Sequence, residues 1–286
     1  MTLTFKPKAP IWCAGCGHFG VHTALTHALK AAHVPAHEAL IIAGIGCSGS
    51  IQNNLNAYGY HALHGRVLPT ATGAALANPN LLVIGAGGDG DGYAIGGGHL
   101  LHSFKRNPSL VYIVMNNGVY GLTKGQNSPT AGAALTNGEA PLDAVQLGLS
   151  VSGSTFIARG FVGWWDQLAA LIREGIQHAR AHCGFAFIEA ISPCVTYNDS
   201  YPEWDGKLAD ISQDKAYDPA DRVQAMSRVM RLSEQGKLAV GKILHTTGST
   251  LDQRHNVNAQ RAPALQGVLP ANNVSTYEAI ARDHLV

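Results

Sequence analysis

GGDGDGYAIGGGHLLHSFKRNPSLVYIVMNNGVYGLTKGQNSPT occupies residues 87–130, and its reading decides the fold. Leu81, Leu82, Val83 and Ile84, just before it, read as a buried strand. Gly88-Asp89-Gly90 follows, then a helix-like segment, a second apolar strand over 110–115, and the pair Asn116-Asn117. Residues 91–115 separate the two polar elements, a gap of 25. Gly-Asp-Gly alone is more often an ordinary turn; the spaced asparagine pair makes it a candidate site. Mg²⁺ takes near-octahedral oxygen ligands, usually one or two from protein beside substrate phosphates. Asp89 at one strand end and Asn117 at the next offer two such oxygens, and the Val119 carbonyl a third. The glycines let backbone N–H groups come close to phosphate. In a parallel sheet, ligands collect at the carboxyl ends of neighbouring strands. The stretch has what a magnesium diphosphate site needs.

Outward from this centre the chain alternates. Residues 1–10 form a Pro/Lys-bearing arm, and Trp12-Cys13-Ala14-Gly15-Cys16-Gly17-His18 opens a helix expected over 18–32. A strand over 40–43 ends in Gly44-Ile45-Gly46-Cys47-Ser48-Gly49. Residues 52–79 are polar, then carry His61-Ala62-Leu63-His64-Gly65-Arg66 and a short helix over 70–77. Beyond the centre, a Gly/Ala/Thr-rich loop from Ser128 to Pro141 reads as a mobile or partner-facing cover. A helix over 142–149, a strand over 155–158, a helix over 164–182 and a strand over 185–190 continue the pattern. Such alternation predicts α/β architecture with a doubly wound, mostly parallel sheet. From about residue 198 the pattern weakens to polar turns, a helix near 219–233 and a Gln/Asn-rich tract over 245–273. The expected division is an α/β unit over 1–200 and an irregular extension over 201–286 that packs on it or on a partner.

Of five cysteines, Cys13, Cys16, Cys47 and Cys194 sit in loops, the last two just past strand ends. A CxxC alone is equally a redox dithiol, half a metal site, or two unrelated thiols. Four loop thiols suit a structural Zn²⁺ or a [4Fe–4S] cluster, and the long gaps alone lean towards zinc. Cys183, at an expected helix end, is left over as structural. The chain has 286 residues, enough for a sizeable core, and only 14% of them are charged, so partner subunits are expected to cover part of its surface. A net charge of +1 supplies no nucleic-acid footprint. No apolar run reaches membrane-spanning length, and the N-terminus lacks a signal peptide's apolar core, so a cytoplasmic location is expected.

Together, WCxGCG, GIGCS, GDG with its spaced NN, GLTKGQ and PCVTYN resemble the β subunit of 2-oxoacid:ferredoxin oxidoreductases, the 2-oxoglutarate enzymes first among them. The resemblance covers roughly residues 11–200. It implies the thiamine-diphosphate-binding (pyrophosphate domain) fold, with Mg²⁺ held by Asp89, Asn117 and Val119. Gly46, Cys47, Ser48, His64, Gly88, Gly90, Asp91, Gly121, Leu122 and Thr123 are then implied around the cofactor. It implies one [4Fe–4S] cluster on Cys13, Cys16, Cys47 and Cys194, in place of zinc. Ala14 stands where many relatives carry proline, but both thiols remain. His64 and Arg66 match the family's His-Gly-Arg element, and His64 and Lys124 are the implied catalytic residues. The implied reaction is oxidative decarboxylation of a 2-oxoacid, 2-oxoglutarate before pyruvate or branched acids. Coenzyme A takes the acyl group and a ferredoxin the electrons; the reverse is reductive carboxylation. With no second such domain in the chain, an α subunit is expected, paired as (αβ)₂. A non-redox thiamine diphosphate decarboxylase or carboligase would leave the four cysteines unexplained. A zinc-stapled interaction module would leave the GDG/NN spacing to chance.

Overall fold

Helix α1 (His18–Ala31) leads into strand β1 (Ala39–Ala43), a 3₁₀ turn over Cys47–Asn53 and strand β2 (Tyr58–His61). Helix α2 (Val67–Ala77) precedes β3 (Leu82–Gly88), which runs into a π-helical turn (Gly90–Ile95), α3 (Gly97–Arg106) and β4 (Val111–Asn116). A two-stranded ribbon follows, β5 (Val119–Tyr120) with β6 (Gln126–Asn127), then α4 (Ala144–Ser150), β7 (Phe156–Phe161), α5 (Trp165–Arg180) and β8 (Ala186–Ile191). The chain continues through α6 (Tyr201–Trp204), β9 (Leu208–Asp210), α7 (Arg222–Glu234), β10 (Leu238–His245) and α8 (Leu251–Arg254). These come from a computed structural model that describes residues 6–132, 138–204, 206–257, 260, 262–265, 275, 277–279 and 281–282.

The main sheet has eight strands in the order β2-β1-β3-β4-β8-β7-β10-β9. All pairings are parallel except β7 with β10. Successive side chains on a strand point to opposite faces, and both faces here are covered by helices. Ile41, Ile84, Ile113 and Ile188 therefore join one core with Val21 and Leu25 of α1 and Leu168 and Ile172 of α5. Ile42, Val83, Tyr112, Val114 and Phe187 join the other with α2, α3, α4 and α7. Ile113 is wholly buried, and truncating such a residue to alanine costs about 2–5 kcal/mol.

Two departures from the sequence reading have local causes. Strand β2 lies at the sheet edge with all four residues exposed, so Tyr58-Gly59-Tyr60-His61 shows no apolar pattern. Beyond residue 200 the sheet continues, with β9 and β10 extending it past β7. Gly241 and Lys242 interrupt the apolar run of β10, and the register with β7 shifts between Lys242 and Leu244. The tract expected over 245–273 lies partly outside the described residues, as do residues 1–5 and residues 133–137 of the expected cover loop. No described helix is long and apolar enough to cross a membrane.

Helix α8 is held to the sheet's amino end. Asp252 accepts from Ser109 Oγ at 2.8 Å and lies 3.0 Å from His182 Nδ1, while Thr250 closes a capping box. The hydrogen bond to Asp252 raises the His182 pKa above 6.5. Burial opposes ionisation of Asp252, but hydrogen bonds from His182, Ser109 and Thr250 hold it below 3.8. The His182 contribution is fully present below 6.5 and is lost as pH rises through its raised pKa. The Asp252 contribution is present above 3.8 and is lost as pH falls through its lowered pKa. His182→Ala is therefore expected to cost about 1 kcal/mol near pH 5, because the partly exposed pair is screened. The loss should fade above neutrality; urea unfolding at both pH values checks this, and a pH-independent loss would refute it.

Candidate cofactor site at the carboxyl end of the sheet

Four adjacent strands deliver the motif residues to one place. β1 ends at Ala43 and feeds Ile45 to Ser48; β3 ends at Gly88 before Asp89; β4 ends at Asn116; β8 ends at Ile191, three residues before Cys194. β1 is flanked by β2 on one side and β3 on the other, so the site lies where the strand order reverses.

Asp89 is buried, and its Oδ2 accepts hydroxyl donors from Ser128 and from Thr130, the latter at 2.5 Å. Its Oδ1 has a long 3.5 Å contact from the Asn117 N–H. Burial raises the carboxyl pKa, and these neutral donors pull it partly back. A buried carboxylate with one oxygen so lightly held is suited to a divalent cation. Asn117 Oδ1 accepts from the Val119 N–H at 3.0 Å, and the Val119 carbonyl accepts from the Gly121 N–H at 3.1 Å. Ser128 and Thr130, at the start of the loop expected to be a mobile or partner-facing cover, thus brace Asp89; two hydroxyls flanking Pro129 were the available signal.

Asp91 gathers two loops. Its Oδ1 accepts from the Ile45 N–H at 3.1 Å and the Gly65 N–H at 2.9 Å, and lies 2.7 Å from His64 Nδ1. Its Oδ2 is buried without a partner. With Nδ1 engaged, Nε2 is the ring nitrogen left to His64 for other partners.

The four candidate thiols approach one another. Burial pushes the Cys16 thiol up to about 11, the His18 N–H lowers it, and charge on Cys194, Cys47 and Cys13 raises it further. Cys47 is raised by burial first, then by Cys194 and Cys13. A Cβ on Gly121 would lie 3.6 Å from the Cys194 sulfur and 3.7 Å from that of Cys47, so this turn passes between the two thiols. The carriers are stitched together. Trp12 Nε1 donates to the Cys47 carbonyl at 2.7 Å, Gly17 N–H to the Pro193 carbonyl at 3.0 Å, and Asn198 Nδ2 to the Asn117 carbonyl at 2.8 Å. Among the described residues, no three His, Cys, Asp or Glu side chains form a group that could hold a single metal ion. Cys183 stands apart from this group, beyond α5, with its thiol towards the Ala181 carbonyl.

A cavity of about 160 Å³ joins these parts. Ile45, Gly46, Cys47 and Ser48 line one side; Gly88, Asp89, Gly90 and Asp91 line the floor. Asn117, Val119, Tyr120, Gly121, Leu122 and Thr123 close the far wall, with His18 and His64 completing the ring. All candidate cofactor residues therefore line one cavity. Lys124 does not line it; it is exposed, with a left-handed φ of 75°. Arg66 is also outside, its guanidinium 3.1 Å from His99 Nε2. His18, Ile45 and Tyr120 were missed from the sequence. Burial lowers the His18 pKa to about 4, so this residue is neutral there. A second cavity, about 190 Å³, lies at the sheet's other end near Glu38, Arg180 and Asp252 and carries none of these motifs.

Comparison with known proteins gives a consistent set of relatives. Residues 44–190 match the family described as thiamine pyrophosphate enzyme, C-terminal TPP binding domain. The chain is 37% identical to the 2-oxoacid:ferredoxin oxidoreductase subunit beta of Saccharolobus solfataricus, over 93% of this chain and 91% of that one. It is 32% identical to the 2-oxoglutarate synthase subunit KorB of Methanocaldococcus jannaschii, over 82% and 87%. A solved 2-oxoglutarate:ferredoxin oxidoreductase from Magnetococcus marinus, with 2-oxoglutarate, coenzyme A and succinyl-CoA bound, superposes with a TM-score of 0.84. That match covers 96% of this chain and 94% of the other at 33% identity.

Proposed function

This chain belongs to the β subunits of the 2-oxoacid:ferredoxin oxidoreductases, and from that premise we propose that its cavity holds the diphosphate and thiazolium part of thiamine diphosphate beside one [4Fe–4S] cluster. The single observation carrying this reading is that Asp89, Asn117 and Val119 line one cavity with Cys47 and Gly121. Asp89, Asn117 and Val119 would hold Mg²⁺, and Gly46, Ser48, Gly88, Gly90, Leu122 and Thr123 would enclose the cofactor. Cys13, Cys16, Cys47 and Cys194 would hold the cluster. Four thiols near enough to feel one another's charge are the donor set that a [4Fe–4S] cluster takes. Thiamine diphosphate supplies the carbon nucleophile that lets a 2-oxoacid lose CO₂, and the cluster takes electrons singly.

The chain's own groups orient and shield. Asp91 fixes the His64 ring through Nδ1, so proton exchange with bound substrate falls to Nε2. Lys124, exposed outside the cavity and next in sequence to the lining residue Thr123, would offer a point charge to an approaching anionic 2-oxoacid. 2-Oxoglutarate is the proposed substrate, since the relatives named for that acid include a superposable whole-chain structure. Coenzyme A would accept the acyl group, a ferredoxin the electrons, and an α subunit would complete the cofactor site in an (αβ)₂ assembly.

Anaerobic metal analysis with a visible spectrum, followed by assay with and without the α subunit, tests the proposal. About four irons per chain, with absorption bleached by dithionite, are expected. Turnover of 2-oxoglutarate should require α, Mg²⁺ and thiamine diphosphate together. One zinc and no visible band in protein kept from air would overturn the cluster; full turnover without α would overturn the shared site.

A further inference from the structure

Behind the cavity lies a buried charged chain that no sequence motif announces. Glu189 of β8 and Arg159 of β7 are almost wholly buried and joined at 2.5 Å through Oε2 and Nε. Arg159 Nη2 reaches Asp143 at 2.6 Å, while its Nη1 is buried without a partner. The other Glu189 oxygen, Oε1, accepts from Tyr93 Oη at 2.7 Å and from Asn116 Nδ2 at 3.1 Å.

The last contact is the informative one. An amide has a donor end and an acceptor end, and Glu189 takes the donor end of Asn116. Its Oδ1 therefore faces the Gly118 N–H at 3.2 Å and the Thr130 hydroxyl at 2.8 Å. The first contact closes the turn Asn116-Asn117-Gly118, which needs the left-handed φ of 70° at Gly118 and presents Asn117 to the cavity. The second contact is an alternative, because the single Thr130 hydroxyl proton goes either to Asn116 Oδ1 or to Asp89 Oδ2. Flipping Asn116 would put N–H against N–H at Gly118. The two asparagines thus divide the work, with Asn117 at the cavity and Asn116 holding the turn.

We propose that Glu189 is a positioning residue for the metal–diphosphate site, setting Asn117 through the Asn116 amide and the Gly118 turn. The inference rests on reading Asp89 and Asn117 as Mg²⁺ ligands. A carboxylate is required at 189 because it must accept at both ends. Glutamine would turn an N–H₂ towards either Arg159 or the Asn116–Tyr93 pair and leave a buried donor unpaired.

The test titrates Mn²⁺ against thiamine diphosphate binding in the purified αβ complex, with paramagnetic Mn²⁺ read directly. Glu189→Gln is expected to weaken Mn²⁺-supported cofactor binding about tenfold, with the wild-type affinity regained to within about twofold at saturating Mn²⁺. Recovery by metal is what a general folding defect would not show. Tyr93→Phe removes a donor from the same oxygen without touching Asn116 and should titrate as wild type. If the glutamine variant fails to assemble, Asn116→Ala breaks the relay and leaves the ion pair intact; it should show the same loss. Unchanged Mn²⁺ dependence in whichever variant assembles, a loss that metal does not relieve, or an equal loss in Tyr93→Phe would overturn the inference. Absence of Mn²⁺-dependent binding in the wild-type complex would instead bring down the cofactor reading, and this inference with it.

Discussion

Asp89→Asn is expected to abolish magnesium-dependent thiamine diphosphate binding while leaving the metal-free chain at least as stable as the parent. Asp89 is buried among neutral donors, and an asparagine carbonyl can still accept from Ser128 and Thr130. What asparagine lacks is charge, which a hard cation needs from at least one ligand. Cofactor affinity should fall by about 100-fold or more, beyond the range usual for residues that only support a ligand. Removing an uncompensated buried carboxylate should stabilise the empty chain by about 1 kcal/mol. Calorimetric titration of the αβ complex reads the first effect and urea unfolding without Mg²⁺ the second. Retained magnesium-dependent binding would remove Asp89 from the site. Lower stability would mean that the two hydroxyls need the full charge to stay in place.

Cys16→Ser should have an effect of similar size on a different step. Cys16 is the buried member of the four thiols, and its pKa of about 11 keeps it protonated until a metal displaces the proton. Serine places a harder, far less acidic oxygen there. Iron content should fall well below that of the parent, and ferredoxin reduction by at least about 100-fold. Thiamine diphosphate binding should persist within about twofold, because Asp89, Asn117 and Val119 are untouched. Iron analysis, anaerobic ferredoxin assay and cofactor titration on one preparation separate these outcomes. Unimpaired ferredoxin reduction would exclude Cys16 from the electron path, and parallel loss of cofactor binding would point to collapse of the α1 start.

How much of this was legible differs from segment to segment. β3, β4 and β8 were readable because strands covered on both faces are continuous apolar runs. β2 was not, because its residues are exposed at an edge, and β10 was hidden by Gly241 and Lys242 at its register shift. The GDG and NN elements were readable because the turn chemistry and the spacing are local. The bracing of Asp89 by Ser128 and Thr130 was not readable, because the partners lie some forty positions apart and no short window contains both.

The sequence by itself determined the α/β alternation, the family, and which residues are candidates for a metal–diphosphate site. Each depends on residues within a strand, a turn or a fixed spacing. Only the tertiary structure decided which of those groups meet. It placed Lys124 and Arg66 outside the cavity, brought His18 and Tyr120 into its wall, and put Glu189 behind Asn116. Those outcomes depend on strand order and register, which the whole core sets by packing β8 beside β4, and which no local run of residues encodes.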